Sequence, residues 1–434
     1  MNTGKSGNGK RFLTGWRKLL LYVRIAGHVA ARYALHPGLF RWSPAAYSLF
    51  LKRALVLLLV FRHSKAVRVS PGFKIHLYLP AYPTPAFFNA LEAKLLRTPP
   101  GPLTVVFSMT KACGYRCQHC YQRLDAGADL DEATMRKAAR AMQDAGVSMF
   151  DIEGGEPLLR RERLLNLLRS IDRRSEVWIN TVGAALTPEA ARELEEAGLF
   201  GVMISVHSPD AAAHDAFTGI PGSFAAALRA LAVCRRAGLA TAVNSVLSEE
   251  HLRAGDLARL MELAREADCD FVQLIHPKPA GKWLGRAGMQ ADPVLIARIR
   301  REHVRYNGAG AAGYPALAAQ VFEESEDVFG CTSGATDRFY LNANGEVQPC
   351  EFLNLSFGNV RTEDFAVILA RMRAAFRTPC LDWLCCTQGP EIHRLIAAHG
   401  VKSTPLPWEI TRELVARWDR GRPTPLYRRI GVYP

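Results

Sequence analysis

The first 91 residues of this 434-residue chain contain no aspartate and no glutamate. They do contain 14 lysines and arginines, which leaves the remainder with the other 41 basic residues and all 41 acidic ones. The net charge of +14 therefore resides in the N-terminal region, and the rest of the chain is balanced. A basic segment without acidic residues favours contact with an anionic surface, such as a membrane.

A clean apolar stretch followed by a small-residue cleavage site is also missing from the N-terminal region, so we expect no secretory signal. The ten cysteines are too clustered for the disulfide framework of a secreted protein in a chain of this length. Metal or redox chemistry in the cytoplasm is the better interpretation. About half of the residues are apolar, and the length suffices for one large domain with smaller ones.

The N-terminal region lacks an apolar run of bilayer length as well. Its eight unbroken apolar residues, Ala54–Phe61, are too few to span a bilayer, which needs roughly 20. Helical spacing of apolar residues predicts helices over 17–33 and 46–61. Three interpretations of these basic helices stay open: they lie on an anionic membrane, they dock on the rest of the protein, or they contact a polyanion or form an organelle transit segment.

From residue 103 onward, short apolar runs alternate with amphipathic stretches, which predicts alternating strands and helices. Such a repeat is typical of a parallel α/β sheet or barrel, whose active site lies at the carboxyl ends of the strands. The predicted strands are 103–107, 149–152, 177–180, 201–206, 241–246 and 271–275. The predicted helices are 132–144, 161–172, 188–197, 224–237 and 251–267.

Three cysteines, Cys113, Cys117 and Cys120, follow the first predicted strand at spacings of three and two residues. Three thiolates can hold three irons of a four-iron, four-sulfur cluster, and the fourth iron then stays free to bind a substrate or cofactor. The next cysteine is Cys234, so no fourth thiolate is near in sequence. A structural zinc site would need His119 as its fourth ligand, although that residue lies between two of the cysteines.

This spacing, with the aromatic Tyr121 after the last cysteine, resembles the cysteine loop of the radical S-adenosylmethionine (SAM) enzymes. The resemblance implies a partial (β/α)6 TIM-like barrel and a [4Fe-4S] cluster whose open iron binds the amine and carboxylate of SAM. It also implies that one electron, from a donor such as flavodoxin or ferredoxin, cleaves SAM to methionine and a 5′-deoxyadenosyl radical. That radical abstracts a hydrogen atom from the substrate.

Further motifs of this family stand after the later strands. A Gly-Gly-Glu segment follows the second strand, where the family contacts the amino group of SAM. Val182 and His207 depart from the family pattern, and His207 is either a substrate contact or an ordinary loop residue. The resemblance implies that the cofactor-binding residues are Gly154, Gly155, Glu156, Thr181, Ser205 and Asn244.

A second group of cysteines lies towards the C-terminus: Cys331, Cys350, Cys380, Cys385 and Cys386. Asn344-Gly345 predicts the turn of a β-hairpin between the first two. This arrangement resembles the SPASM or twitch extension of radical SAM enzymes, in which cysteines hold auxiliary four-iron clusters. Five cysteines suffice for one cluster, so we expect one auxiliary [4Fe-4S] cluster bound by Cys331, Cys350 and two of the other three. A structural zinc site is the alternative.

We therefore expect an α/β protein of four segments. Residues 1–98 form a basic, apolar helical appendage with a proline-rich connector, 99–290 a radical SAM core barrel, 291–390 a SPASM- or twitch-like auxiliary cluster domain, and 391–434 a helical tail. We expect a cytoplasmic enzyme, with residues 1–75 able to contact the inner face of the membrane and with no specific nucleic-acid partner.

The substrate is not legible in the sequence. The basic, acid-free N-terminal region favours a membrane-proximal substrate, such as a lipid or a hydrophobic intermediate. Relatives with this extension mostly modify ribosomally made peptides, and others act on protein residues or tetrapyrroles, so a peptide or protein maturase is the alternative. A non-enzymatic iron–sulfur electron carrier or scaffold is a third hypothesis, which the Gly-Gly-Glu segment argues against because a carrier needs no SAM site.

Overall fold

The N-terminal region combines a small sheet with a pair of helices. The computed structural model describes residues 11–34, 44–289, 291–379, 381, 383–418 and 423–433. Strands β1 (Phe12–Leu13), β2 (Ala66–Val69) and β3 (Gly72–Lys74) form an antiparallel sheet in that order. Both predicted helices are present, as α1 (Gly15–Val29) and α2 (Pro44–Val60), and α3 (Pro85–Leu95) follows them.

The six predicted strands are also present, and they lie parallel and in chain order. They are β4 (Thr104–Ser108), β5 (Met149–Glu153), β6 (Glu176–Thr181), β7 (Gly201–Ser205), β8 (Ala240–Val246) and β9 (Phe271–Ile275). The helices are α4 (Glu132–Asp144), α5 (Arg161–Ser170), α6 (Pro188–Glu196), α7 (Ala211–Thr218), α8 (Ser223–Arg236), α9 (Glu249–Arg253) and α10 (Asp256–Glu266). The predicted α/β fold is confirmed, except that helix 251–267 is two helices and α7 was not predicted.

The sheet continues past these six strands at both edges. After α11 (Pro293–Asn307), β10 (Ala316–Ala319) pairs parallel with β9 and leads into α12 (Gln320–Glu323). At the opposite edge, β11 (Arg338–Leu341) pairs parallel with β4, and the predicted hairpin joins it to β12 (Val347–Gln348). Strand β10 carries little strand signal in the sequence because it consists of alanine and leucine.

Four helices complete the chain: α13 (Phe365–Ala375), α14 (Leu384–Ala398), α15 (Trp408–Arg417) and α16 (Pro425–Ile430). The segment before α15 attaches to the cysteine loop. Thr404 lies between α14 and α15. Its backbone N–H donates to Leu124 O at 2.9 Å, and its hydroxyl donates to Asp125 at 2.8 Å. The tail predicted over 391–434 thus contains the end of α14, α15 and α16, and Thr404 between α14 and α15 contacts Asp125, which lines the active-site cavity described below.

One face of the N-terminal region docks on the barrel. Phe12, Val67 and Leu77 pack against residues at the amino ends of the strands, including Met149 and Trp178. The structure therefore supports the docking interpretation for this face, and the docked segment closes the end of the barrel opposite the cysteine loop.

The helical pair has an outer face that is strongly apolar. Trp16, Leu19, Leu20 and Val23 on α1 are each more than half exposed, and so are Leu51 and Leu58 on α2. With its 3-10 extension, the second helix spans Pro44–His63 and has a mean hydropathy of 1.7, so by length and composition it could cross a membrane. The apolar run Ala54–Phe61 is thus the C-terminal part of a longer apolar helix. Arg53, in the middle of this helix, is buried and donates to Arg97 O at 2.8 Å, which attaches the helix to the protein.

Candidate active site

A cavity of about 360 Å³ lies at the carboxyl ends of the barrel strands. The structure brings all nine residues predicted for the catalytic cluster and for SAM together around it. They are Cys113, Cys117, Cys120, Gly154, Gly155, Glu156, Thr181, Ser205 and Asn244. Strands β4 to β8 position them because each residue stands at, or just after, the carboxyl end of its strand.

Gly154 and Gly155, which follow β5, hold the start of the cysteine loop against the end of that strand. Gly155 N–H donates to Thr110 O and Glu156 N–H donates to Ala112 O, both at 2.7 Å. A Cβ atom on Gly154 would lie 2.4 Å from Thr110 O, and one on Gly155 would lie 2.3 Å from Ala112 O. The close approach that requires glycine is therefore backbone against backbone, immediately before Cys113.

The segment after β9 supports the loop from its other side. Lys282 donates through its side chain to Cys117 O at 3.0 Å and through its backbone to Cys120 O at 3.2 Å. Gly281 has φ +53°, and a Cβ atom there would lie 2.3 Å from Cys120 O. The segment from Gly281 to Lys282 therefore holds the backbone of two of the three cysteines.

Helix α7, which was not predicted, is a third support. The backbone of Arg116 donates to Thr218 O and that of Gln118 to Phe217 O, both at 3.0 Å. Asp210 caps the helix by accepting from Ala213 N–H, and Gly219 ends it in the left-handed conformation. These cap residues around an Ala-Ala-Ala run were a signal that could have predicted the helix.

The donor set fits a cluster better than a single metal ion. In the described ranges, no three His, Cys, Asp or Glu side chains converge as the ligands of one metal ion would. A four-iron cluster instead takes its thiolates on separate irons. Burial, with a smaller contribution from Cys120, raises the pKa of Cys117 to about 12. Iron binding must therefore displace a proton from this thiol.

The carboxylate of Glu156 is fully engaged within the protein. It accepts hydrogen bonds from Thr181 Oγ1 at 2.6 Å, Val182 N–H at 2.9 Å and Leu158 N–H at 3.1 Å. The side chain is buried, and burial raises its pKa despite these bonds. Glu156 and Thr181 thus join the ends of β5 and β6, and a direct contact of either with SAM stays a prediction.

The floor of the cavity is polar. Asn244 donates to Asn180 Oδ1 at 3.4 Å, and Asn180 donates to Asp151 at 2.9 Å. Asn244 Oδ1 is buried and accepts no hydrogen bond from the described part of the chain, which suits a ligand that donates one. Burial, reinforced by Glu351, raises the pKa of Asp151 to about 8, and burial also raises that of Glu153 well above its usual range. Neither carboxyl group was predicted as a site residue: Asp151 lies inside the predicted strand, and Glu153 directly follows it.

The two histidines of the site are neutral packing residues. The rings of His119 and His207 lie 4.6 Å apart and both contact Phe217. Burial lowers the pKa of His119 to about 4 and that of His207 well below its usual value. His207 Nδ1 accepts from Val246 N–H at 3.3 Å. This geometry favours the loop-residue interpretation of His207, although the residue does line the cavity.

Three cysteines of the second group, Cys331, Cys350 and Cys385, line another cavity. Cys386 Sγ lies 4.0 Å from Cys385 Sγ, whereas Cys380 is outside the described residues. The structure therefore brings together four of the five predicted auxiliary ligands, and their assignment as ligands stays a prediction.

Two cations, the half-buried Arg338 and the buried Lys278, border this second cavity. Arg338 lies 3.7 Å from Cys350 Sγ. Lys278 Nζ is buried, stands 3.1 Å from the ring centre of Trp383, and has no hydrogen-bond partner among the residues that the structure describes. A buried ammonium requires a compensating negative charge. Glu324, which lines the same cavity and pairs with Arg338 at 2.8 Å, supplies one such charge, and the thiolates around a bound iron–sulfur cluster would supply more, so the surroundings fit the predicted auxiliary cluster.

Comparison with known families matches two parts of the chain. The Radical SAM superfamily matches residues 107–267, which include the first cysteine group. SPASM, an iron–sulfur cluster-binding domain, matches residues 331–387, which include the second.

Similar proteins with assigned names act on different substrates. The AdoMet-dependent heme synthase of Nitratidesulfovibrio vulgaris is 26% identical over 295 residues, which are 61% of this chain and 77% of that protein. The PqqA peptide cyclase of Xanthomonas euvesicatoria is 26% identical over 298 residues, 66% of this chain and 78% of that protein. Streptococcus suis SuiB, solved bound to its precursor peptide SuiA, shares the fold with a TM-score of 0.51 and 17% identity over 62% of this chain and 64% of that one.

Proposed function

Because the chain belongs to the radical SAM superfamily and carries a SPASM iron–sulfur domain, we propose that it abstracts a hydrogen atom from a hydrophobic, membrane-proximal substrate. It is an enzyme that uses SAM and a [4Fe-4S] cluster. The observation that supports this substrate class is the outer apolar face of α1 and α2, within a region that has 14 basic and no acidic residues.

Each group of residues in the active site would have a separate role. Cys113, Cys117 and Cys120 would hold the catalytic cluster, which when bound supplies the electron that cleaves SAM to methionine and a 5′-deoxyadenosyl radical. A reducing partner such as flavodoxin or ferredoxin would deliver that electron. Asn244 would accept a hydrogen bond from the ligand, and Glu156 would keep the loop ends in place. The barrel walls exclude water, so that a reactive radical meets only the substrate.

The second cysteine group would hold one auxiliary [4Fe-4S] cluster. Cys331, Cys350 and Cys385 would be three of its ligands, and Cys386 or Cys380 the fourth. Arg338 and Lys278 would balance its charge. This proposal is supported by the shared cavity of the first three thiols and by the two cations beside it.

The apolar face of the helical pair would lie on the membrane surface on the cytoplasmic side. Its residues follow helical spacing on α1, at positions 16, 19, 20 and 23, so they share one face. Contiguous exposed apolar surface of this kind is typical of membrane or protein contacts. Basic residues beside it would add attraction to anionic lipid, about 1 kcal/mol per residue near the surface. A peripheral helix of this composition would lie in the headgroup region.

The relatives support a second candidate substrate class. The heme synthase and the peptide cyclase are matched at 26% identity over more than half of this chain. A tetrapyrrole, or a peptide or protein to be matured, is therefore the alternative to a lipid-like substrate. All three classes require the same SAM cleavage, so the substrate and the radical chemistry can be tested separately.

Radical chemistry is tested by incubating reduced, anaerobically reconstituted protein with SAM. We expect 5′-deoxyadenosine from the wild-type protein and none from Cys117→Ala. Equal amounts from both proteins would contradict the assignment of the catalytic cluster. Transfer of deuterium between the adenosyl group and a candidate molecule would then identify the substrate.

Membrane contact is tested with anionic phosphatidylglycerol vesicles. A variant with Leu19→Gln, Leu20→Gln and Val23→Gln removes exposed apolar side chains from α1 without changing the charge. We expect it to lose most vesicle binding. The matched control is Val294→Gln with Val367→Gln, which removes two exposed apolar side chains from α11 and α13. Equal vesicle binding by the two variants would refute the proposed membrane face.

A further inference from the structure

Beneath the outer face of the helical pair lies a second large cavity, of about 360 Å³, enclosed by α1, α2 and α3. In the described part of the chain, its lining contains no charged side chain and consists of aliphatic and aromatic residues with three tyrosines. Its size falls within the range of about 300–1,000 Å³ that is usual for small-molecule sites. We call it the helical-pair pocket. An uncharged lining of this kind suits an apolar ligand rather than an ion.

The helical-pair pocket opens at the proposed membrane face. Leu51 and Leu58 line the pocket and are also 62% and 52% exposed. The opposite wall is formed by buried residues, among them Leu79, Phe87 and Leu91. The pocket therefore leads from an apolar, basic surface into the interior. The ligand it can take is the chain of a molecule that resides in an anionic bilayer.

Two smaller cavities lie in series between this pocket and the active site, and neighbouring cavities share lining residues. The first, of about 90 Å³, shares Leu79 and Leu91 with the helical-pair pocket. The next, of about 50 Å³, shares His76 and Tyr78 with the first. Tyr78 also lines the active-site cavity. Residues 76–79 thus border all four cavities. We call this series of cavities, from the helical-pair pocket to the active site, the path.

The path becomes polar towards the active site. Gln273, Gln320 and Arg338 line both the last small cavity and the active-site cavity. Gln273 Oε1, Gln320 Oε1 and Arg338 Nε are buried and form no hydrogen bond with any residue within the described ranges. Buried polar atoms of this kind usually have a partner. An apolar chain would fit the helical-pair pocket at one end of the path, and a hydrogen-bonding head would give these polar atoms a partner at the other.

We propose that the helical-pair pocket binds the apolar chain of a bilayer amphiphile and that the cavities along residues 76–79 admit its polar end to the active site. The inference rests on the proposed function, since it identifies the membrane-proximal substrate as a single-chain amphiphile with a hydrogen-bonding head. The substrate would reach the barrel along residues 76–79, beside the docked side chains of Phe12, Val67 and Leu77 that close the amino ends of the strands.

The test uses the full-length, cluster-containing protein in phosphatidylglycerol vesicles and two photoactivatable hexadecanols. One carries a diazirine near the end of the chain and the other carries it next to the hydroxyl group. After irradiation, we expect the first probe to label peptides of α1 and α2 and the second to label the peptide that contains Tyr78. Labelling of surface peptides alone by both probes would overturn the proposal.

Two pocket-filling variants provide the specificity control. Ala54 on α2 and Ala26 on α1 line the pocket from different sides. We expect Ala54→Trp and Ala26→Trp each to reduce labelling at Tyr78 at least 10-fold, while iron content and the melting temperature show that each variant is folded. Leu59→Trp is the matched control, because Leu59 is a half-buried residue of α2 that does not line the pocket.

Equal labelling of all three tryptophan variants would refute the pocket. The outcome is separable from the proposed function. Formation of 5′-deoxyadenosine without specific labelling would overturn only the path. Specific labelling by a protein that cannot cleave SAM would leave the path intact and overturn the radical chemistry.

Discussion

The buried ion pair between Lys74 and Glu176 allows a sharp test of whether the N-terminal region is part of the catalytic body. Lys74 is the last residue of β3, and Glu176 is the first residue of β6 at the closed end of the barrel. Both side chains are almost completely buried. Lys74 also donates to Leu79 O at 2.8 Å, and Glu176 accepts from Trp178 Nε1 and Ala81 N–H, each at 2.7 Å.

Replacing Lys74 with methionine fills similar space but leaves the Glu176 carboxylate buried without a counter-charge. Removing one partner of a buried pair costs about 3–5 kcal/mol in free energy of unfolding. Glu176→Gln should cost a similar amount, because it leaves the Lys74 ammonium buried beside one carbonyl. The double variant buries no unpaired charge, so its loss should fall short of the sum of the single losses by about 2–3 kcal/mol.

The assay is anaerobic urea unfolding of the three variants and the wild-type protein, with the cluster content matched. The midpoints should shift with little change in the slope, since the surface exposed on unfolding stays the same. Losses below about 1 kcal/mol in both single variants would show that residues 72–82 come away from the barrel without cost. Strict additivity in the double variant would show that the two charges do not interact. Either result would refute the docking deduced from the structure.

Three further predictions concern the cofactors and the cavity floor. Reconstituted protein should contain about eight irons, as two four-iron clusters, and Cys350→Ala with Cys385→Ala about four; about eight in that variant would exclude these ligands. Lys278→Met should lower the auxiliary cluster's reduction potential in an electron paramagnetic resonance titration, because a buried cation stabilises the reduced form; an unchanged potential would place the ammonium elsewhere. Since folded Asp151 retains a proton up to a pKa of about 8, whereas an unfolded aspartate releases it near 4, the unfolding free energy of the wild-type protein should fall relative to that of Asp151→Asn by about 3 kcal/mol from pH 5 to pH 7. Parallel pH curves would contradict this burial.

The strands and the position of the site could both be predicted from the sequence, because each depends on the local pattern of apolar and polar residues. Buried parallel strands are continuous apolar runs, such as Val105 to Phe107, and polar residues that follow such runs must meet at one edge of the sheet. Cys113, Glu156 and Asn244 are far apart in sequence, yet the order of the strands alone places them around one cavity.

The roles within the site could not be read from sequence order. Glu156 is expected by resemblance to contact SAM, but its carboxylate is occupied by Thr181, Val182 and Leu158 in the folded chain. The position of Lys278 against Trp383 depends on a contact between residues more than 100 positions apart. Tertiary contacts between distant residues leave no periodic trace, so neither arrangement follows from local patterns.

The N-terminal region shows why docking and membrane contact are not exclusive alternatives. Residues 76–79 form a turn, in which Leu79 N–H donates to His76 O at 3.2 Å, so neighbouring side chains point to different parts of the protein. Leu77 packs against the amino ends of the strands, whereas Tyr78 reaches the active-site cavity and accepts a hydrogen bond from Gln273. Leu79 then contributes to the pocket under α1 and α2. A region that closes the barrel on one side can therefore still connect the active site with a membrane on the other.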